Sequence, residues 1–562
     1  MKRLLGIAVL LAATATASVG ATLEVCITPR GGLSWTTDSS QTVTVTRLAF
    51  LLSDFRLQRG DGSWINLAGK FAFIDPLQNR LRFRLENVPS DSYQQVAFAV
   101  GLNEKTNHGD PSQWPADHPL NPLINDLHWS WQGGYVFFAL EGHYNKDAGF
   151  SLHLAKSPNQ TPVSLSAPLD FQQDSQIGIV LDVHGLLRSI HFAADASATH
   201  SREGDRLAAT FRDNIARCFS IHTVSALDAA PTAITVKTLI ATNATPYHFR
   251  MPAGFPMPSL PRDNPLTVEG VALGKRLFHE NLFSRDNTLS CASCHNEARA
   301  FSDSPHRFSV GVDKQEGTRN AMPLFNLAWK REFFWDGRAS SLRQQVLMPI
   351  QDGREMHEPL EELVGKLAAA SGYADQFEKA FGSCEISPDR VARALEQFVL
   401  TLESSDSKFD HALKGRAVLS EEEKRGFELF MTEYDPRRGL TGADCFHCHG
   451  GPLFSDFRFT NNGLDADPVD TGRERVTGNA LDKGKFAVPS LRNVALTGPY
   501  MHDGRFQTLE EVVDHYCTGT KRSATLDPNL AKHPDGGLPL DAGDKKALVA
   551  FLKTLTEEPT QH

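Results

Sequence analysis

The clearest chemistry in the sequence lies in two short runs, Cys291, Cys294 and His295 in "CASCH" and Cys445, Cys448 and His449 in "CFHCH". Two thiols two residues apart, followed at once by an imidazole, can bond both vinyl groups of a c-type haem and offer a histidine to the iron. A zinc knuckle would need four ligands in one compact cluster, and a thioredoxin-like redox pair needs neither the histidine nor a second copy. The spacing therefore predicts two covalent haems with His295 and His449 as proximal ligands. The opposite coordination position decides function, because an open iron binds peroxide and a filled one only moves electrons.

Several segments must fold to hold these runs in place. "TVEGVALGKRLFHENL" precedes the first run at helical spacing, "SPDRVARALEQFVLTLES" is a strongly amphipathic helix, and Ser420 and Glu423 stand at capping-box spacing in "LSEEEKRGFELFM". "DAGDKKALVAFLKTLT" closes the fold, and the recurrence of helix, loop and motif predicts two copies of one small helical module. The acidic run Glu421 to Glu423 reads as a negative first turn facing the helix dipole.

The front of the chain has a different texture. "TVTVTRLAFLLSDFRL", "RLRFRLENV", "QQVAFAVGL", "YVFFALEGHY" and "QIGIVLDV" are short alternating or apolar runs broken by turn residues, as in an antiparallel β-sandwich. An irregular insert from Asn103 to Asn125 interrupts them and is too long for a simple connection. The expected organisation is a signal peptide over 1–21, a β-sandwich over 22–225, a linker over 226–250, and helical haem modules over 251–420 and 421–562.

With 562 residues the chain has room for several cores, and 57 basic against 67 acidic residues give a net charge of −10. That balance leaves no polybasic footprint for nucleic acid. Lys2 and Arg3, the apolar "LLGIAVLLAA" and the small residues of "TATASVGA" have the layout of a secretory signal. The apolar run is short for a bilayer span, and no later stretch qualifies, so a periplasmic protein without a transmembrane segment after export is expected. Cys26, Cys218, Cys384 and Cys517 lie outside the haem runs, and in an oxidising compartment Cys26 with Cys218 is the first pairing to expect.

From Met251 to about Glu557 the chain resembles the bacterial di-haem cytochrome c peroxidases and, more closely, their MauG-like relatives. "NPLTVEGVALGKRLF", "CASCHNEARAF", "RNAMPLFNLAW", "FFWDGRASSLRQQVLMPI", "REM" and "VPSLRNVALTGPYMHDGRFQTLEEVV" carry the likeness, together with the second haem run. The resemblance implies that Trp335 lies between the haems as a stepping stone for electrons. It implies that Gln345, Pro349 and Glu355 line the distal pocket of the first haem, with Glu355 as the acid–base group. It also implies a calcium ion between the haems at Asn320, Thr497 and Pro499, a role suited to oxygen donors.

Two departures from the peroxidase pattern matter. Many peroxidases close the first haem with a loop histidine, and here Val312 in "FSVGVDKQEG" takes that place, with His306 nearby but early and read as a surface residue. In "LEEVVDHYC" Tyr516 stands where the peroxidases have a methionine ligand, as in MauG, with His515 and Met501 as competing ligands. A hard phenolic oxygen favours oxidised iron where a soft thioether favours reduced iron. The implied consequence is high-valent iron that stores the oxidising power of hydrogen peroxide.

The segment from Thr22 to about His222 resembles the MbnP family of periplasmic copper-binding proteins, through "LAFLLSDFRL", "VAFAVGL", "NHGDP", "HPLN" and "HWSWQGGYVFFALEGHY". In that family a MauG-like partner, MbnH, oxidises a tryptophan to kynurenine, and the modified residue helps complete a copper site. His108, His118 and His128 are the copper candidates, and Trp114, between histidines in the insert, is the first choice for modification. Trp129 is the second choice, since Trp129 and Trp131 share a strand-like face and read as packing residues. The expected function is a di-haem oxidase whose substrate is its own N-terminal domain. The alternative is a di-haem peroxidase drawing electrons from a small c-type cytochrome.

Overall fold

The structure, a computed structural model, describes residues 20–129, 133–171, 173–192, 197–227, 241, 243–535 and 537–558. Most of the expected signal peptide, the middle of the expected linker, and Trp131 lie outside the described residues.

The front half is built of two sheets. One has the strand order Phe219–Ala226, Ser175–Asp182, Ala21–Arg30, Arg82–Val88, and the other runs Thr161–Asp170, Ser92–Val100, Thr42–Arg59, Gly134–Tyr144, Ala148–Ala155, Ala198–Thr199. Most pairs are antiparallel, as the alternation predicts. Two are not: Ala21–Arg30 runs parallel to Ser175–Asp182, and Ala148–Ala155 parallel to Ala198–Thr199. Both unite segments far apart in sequence, so no hairpin dictates their direction.

The apolar run in "RLAFLLSDF" is continuous because both faces of its strand are covered. Leu48, Phe50 and Leu52 enter the core between the sheets, while Ala49 and Leu51 pack outward with Leu102, Leu120, Leu127 and Phe137. The irregular insert supplies part of that outer cover. It folds as short turns, Glu104–Asn107, Pro111–Gln113 and Pro122–Asn125, each begun by an Asn or Asp whose side chain accepts a backbone N–H.

The expected Cys26–Cys218 bridge is absent, and both thiols are free. Alternation turns Cys26 away from the core that its neighbours Val25 and Ile27 enter, whereas Cys218 belongs to that core.

The helical half contains two separate cores, one including Leu273, Leu277, Leu395 and Phe398, the other Leu429, Phe430, Leu548 and Phe551. Each is organised by one helix crossing another at a glycine. Gly274 of Val268–Phe278 lies against the Ala394 carbonyl of Pro388–Leu400, and Gly426 of Glu421–Met431 against the Ala547 carbonyl of Ala542–Lys553, so neither has room for a Cβ. Ser420 and Glu423 form the predicted capping box.

The front half is seated on the second haem module. Gly149 lies against the Pro528 carbonyl, His143 Nε2 is 2.8 Å from the Leu526 oxygen, and Arg202 pairs with Glu433 at 2.7 Å. Arg458 of the haem half stands 2.8 Å from Asp126 and 2.6 Å from Asp456, and Arg47 joins Asp126 to Glu141. No helix among the described residues is long and apolar enough to cross a membrane.

Candidate functional site

The first haem-attachment run forms a single helical turn, Cys291–Cys294, in which Ser290 and Ser293 cap one another's backbone. His295 follows with Nδ1 2.9 Å from the Phe301 carbonyl oxygen. The second run forms a tighter turn, Cys445–His447, and His449 Nδ1 lies 3.1 Å from the Phe454 oxygen. Both rings are thereby oriented through Nδ1, which leaves Nε2 as the ligating nitrogen. Burial keeps both imidazoles neutral by lowering their pKa.

The four thiols fit the same use. Burial pushes Cys291 up to about 12, Cys294 to about 11 and Cys445 to about 12. Burial also raises Cys448, against the pull of Arg458, so all four are protonated thiols suited to thioether bonds. The two turns also belong to different cores, so their cysteines cannot form one zinc cluster.

Around the first turn, the helix Leu342–Gln351 carries Gln345 and Pro349, and the turn after it carries Glu355. Burial, with Asp352 nearby, raises the Glu355 carboxyl to about 7, and its charge is felt at both Cys291 and Cys294. Val312 donates its backbone N–H to the Glu355 carbonyl at 2.9 Å, so the loop that could have carried a closing histidine packs on the turn bearing the acid. His306 is exposed and paired with Asp303.

Around the second turn, Tyr516 lies in the π-helical segment His515–Gly519, an irregularity frequent at functional sites. Tyr516 is half-buried, its hydroxyl pKa raised by desolvation, with Cys445 and Cys448 among the groups that act on it. Of the competing ligands, His515 has Nε2 3.0 Å from the Asn462 oxygen, and Met501 Sδ accepts from the Asn462 amide at 3.3 Å. Both are thus engaged within the protein.

Between the modules, Trp335 is buried and donates Nε1–H to the Asn320 carbonyl at 2.8 Å, while its own carbonyl accepts from Ala487. Asn320 N–H donates to the His502 oxygen at 2.8 Å, close to the turn holding Thr497 and Pro499, and its side-chain amide donates to the Arg307 oxygen at 3.1 Å. The Thr497 hydroxyl donates to the Val494 oxygen. The Asn320 carboxamide oxygen and the backbone carbonyls of Thr497 and Pro499 are oxygen donors of the kind a calcium ion takes.

The insert does not assemble the copper candidates. His108 is half-exposed beside Glu104 and Gly133, His118 stacks on Trp114 with centroids 4.3 Å apart, and His128 is half-buried edge-on to Tyr135, desolvation lowering its pKa to about 4. Trp114 packs edge-on to Phe71 of the sheet region, its Nε1 buried without a hydrogen-bond partner.

Trp129 lies elsewhere. Its ring packs 5.2 Å from that of His200 and 5.7 Å from that of His153. His200 Nε2 is 2.9 Å from Nε2 of His447, the residue just before Cys448. Trp129 therefore sits in the surface between the front sheet and the second haem-attachment turn. Sequence reading passed over His153, His200 and His447. The one local hint was an extra histidine between the two cysteines of "CFHCH".

Sequence comparisons fit this division. The profile of the di-haem cytochrome c peroxidase family matches residues 268–418, and that of the MbnP family residues 17–201. The methylamine utilization protein MauG of Methylorubrum extorquens is 37% identical over 356 residues, covering 61% of this chain and 93% of that protein. The cytochrome c551 peroxidase of Nitrosomonas europaea is 35% identical over 315 residues, covering 54% and 85%. A crystal structure of a MauG-like protein associated with microbial copper homeostasis superposes with a TM-score of 0.51 at 35% identity, over 56% of this chain and 96% of that one.

Proposed function

The chain belongs to the di-haem cytochrome c peroxidase family that includes MauG, and from that premise we propose that it is an oxidase whose substrate is Trp129 of its own front domain. It acts in the periplasm, and the modified tryptophan helps create a copper site in that domain. The haems, when bound through the two cysteine pairs, supply peroxide-dependent oxidation.

The residues of the chain do the rest. Glu355, with a pKa near 7, takes the proton of incoming peroxide and returns it to the leaving oxygen. Gln345 and Pro349 shape the space in which peroxide is held, and Trp335, fixed by its bond to Asn320, conducts electrons from the second module to the first. Tyr516 would offer a hard oxygen to the second haem, which would favour storage of oxidising power over its return to a soluble donor. Asn320, Thr497 and Pro499 would hold a calcium ion through their oxygens. Opening the indole of Trp129 to N-formylkynurenine takes up two oxygen atoms from two peroxides, which leave as two waters, and hydrolysis of the formyl group as formate gives kynurenine.

The observation that carries this reading is the packing of Trp129 on His200, itself against His447 in the second haem-attachment turn. The test is peptide mass spectrometry of the haem-loaded full chain before and after peroxide. A peroxide-dependent mass change on the Trp129 peptide, missing in Tyr516→Phe, is expected. An unmodified Trp129 alongside sustained oxidation of a reduced small cytochrome overturns the reading in favour of a peroxidase.

A further inference from the structure

We propose that Arg285, Asp313 and His357 form a latch that fixes the turn bearing Glu355 relative to the first haem-attachment turn, and so act as positioning residues for the acid–base group. Three segments far apart in sequence meet at one carboxylate. Asp313 Oδ2 lies 2.7 Å from His357 Nδ1, and Asp313 Oδ1 pairs with the Arg285 guanidinium. A carboxylate only accepts, so His357 carries its proton on Nδ1 and Arg285 takes the other oxygen. The His357 hydrogen bond, with Arg285 beside it, holds the Asp313 carboxyl below its usual range.

Each arm of the latch ends on backbone that places Glu355. Gly311 and Val312, just before Asp313, are buried against the turn: Val312 N–H donates to the Glu355 carbonyl at 2.9 Å, and a Cβ on Gly311 would stand 2.1 Å from the Arg354 oxygen. The loop thus presses on the acid's own peptide. Arg285 donates its backbone N–H to the Met356 oxygen at 3.0 Å, gripping the residue that follows Glu355. One position earlier, the Ser284 hydroxyl accepts from the Thr288 and Leu289 N–H groups at 3.0 and 2.9 Å, directly before Ser290 and the turn Cys291–Cys294. Two residues therefore join the haem-attachment turn to the acid. His357 holds φ at 52°, a left-handed backbone that glycine adopts at least cost, and its imidazole reaches Asp313 from there.

The latch sets geometry more than stability. Arg285 and His357 are about half exposed, and ion pairs in such surroundings add little to global stability. Proton transfer, by contrast, needs the carboxyl within hydrogen-bond reach, and a displacement of about 1 Å costs roughly 10²-fold in rate. A loosened loop also admits water to a carboxyl whose raised pKa comes first from burial and then from Asp352, against the pull of Arg338. Opening the latch should therefore lower that pKa.

The latch presupposes that Glu355 is the acid–base group proposed above, and the experiment separates the two. The reaction of the haem-loaded full chain with peroxide is followed by stopped flow across pH in Asp313→Ala, Gly311→Ala, Glu355→Gln and the double variant of Asp313→Ala with Glu355→Gln. Amide exchange of the peptides covering 309–317 and 352–358 is read by mass spectrometry in the same proteins. Asp313→Ala should slow the reaction by about 10–100-fold, move the midpoint of the pH profile below about 7, and speed exchange over 309–317 by about 10-fold. Gly311→Ala leaves every latch charge in place and should move rate and midpoint in the same direction, so it carries the test if Asp313→Ala fails to fold. With Glu355→Gln already present, Asp313→Ala should change the rate by less than about twofold, because its effect runs through that carboxyl. Wild-type rate and midpoint in Asp313→Ala, or equal slowing with and without the Glu355 carboxyl, overturns the latch alone. A wild-type rate in Glu355→Gln overturns the role of Glu355 and the latch with it.

Discussion

The two haem-attachment turns share a motif and differ in what covers them. In the first, the residues between the cysteines are Ala292 and Ser293, Ser293 is exposed, and the carboxyl of Glu355 acts on both thiols. In the second they are Phe446 and His447, Phe446 is buried, and the front domain lies on top through His200 and Trp129. One turn keeps an exposed residue between its cysteines and the other is covered by a protein surface. The two modules share a helix crossing at a glycine, and the unlike residues between their cysteines go with unlike neighbours.

The largest expected effect separates the turns chemically. Glu355→Gln should slow reaction with peroxide by about 10²–10⁴-fold, read by stopped-flow absorbance, whereas Trp129→Phe should leave that rate unchanged and abolish only the modification. The pH profile gives a further reading. Glu355 must be unprotonated to accept a proton, and with its carboxyl raised to about 7 it is mostly protonated below that pH. The wild-type rate should therefore fall as pH drops through about 7, and the profile of Glu355→Gln should be flat across that window.

This contrast was only partly legible in the sequence. Cys291, Cys294, His295, Cys445, Cys448 and His449 could be read because their chemistry is local: five consecutive residues carry the whole requirement. The capping box at Ser420 is local for the same reason. The histidine cluster was not legible, since His200 and His447 meet across a sequence separation of 247 and no periodicity in either segment reports the other. Trp114 drew attention through the histidines around it, yet its partner is its own loop neighbour His118, while Trp129 reaches the other half of the molecule because a strand edge carries it there.

A second effect tests whether the cover on the second turn is held by charge. Asp126, Asp456 and Glu141 share Arg47 and Arg458 in a half-buried network. Burial raises Asp126 to about 7, while burial of Glu141 is outweighed by Arg47 and His153, which hold that carboxyl below its usual range. Arg458→Ala removes one of two cations from three carboxylates and should cost roughly 3–5 kcal/mol by denaturant unfolding. A loss confined to docking of the front domain would appear as new proteolysis there with both haem absorbances intact.

The smallest effect asks whether the modules remain alike beneath their different surfaces. Gly274→Ala and Gly426→Ala each push a Cβ into a backbone carbonyl of the crossing helix, and a carbonyl in a helix cannot swing aside as a side chain can. Each should destabilise its own module by about 1–3 kcal/mol. Because the two crossings lie in separate cores, the costs should add within about 0.5 kcal/mol in the double variant. Equal and additive losses would mean that the turns diverged on a conserved helical frame. A much larger loss at Gly426 would mean that the front domain had become part of what holds the second module together.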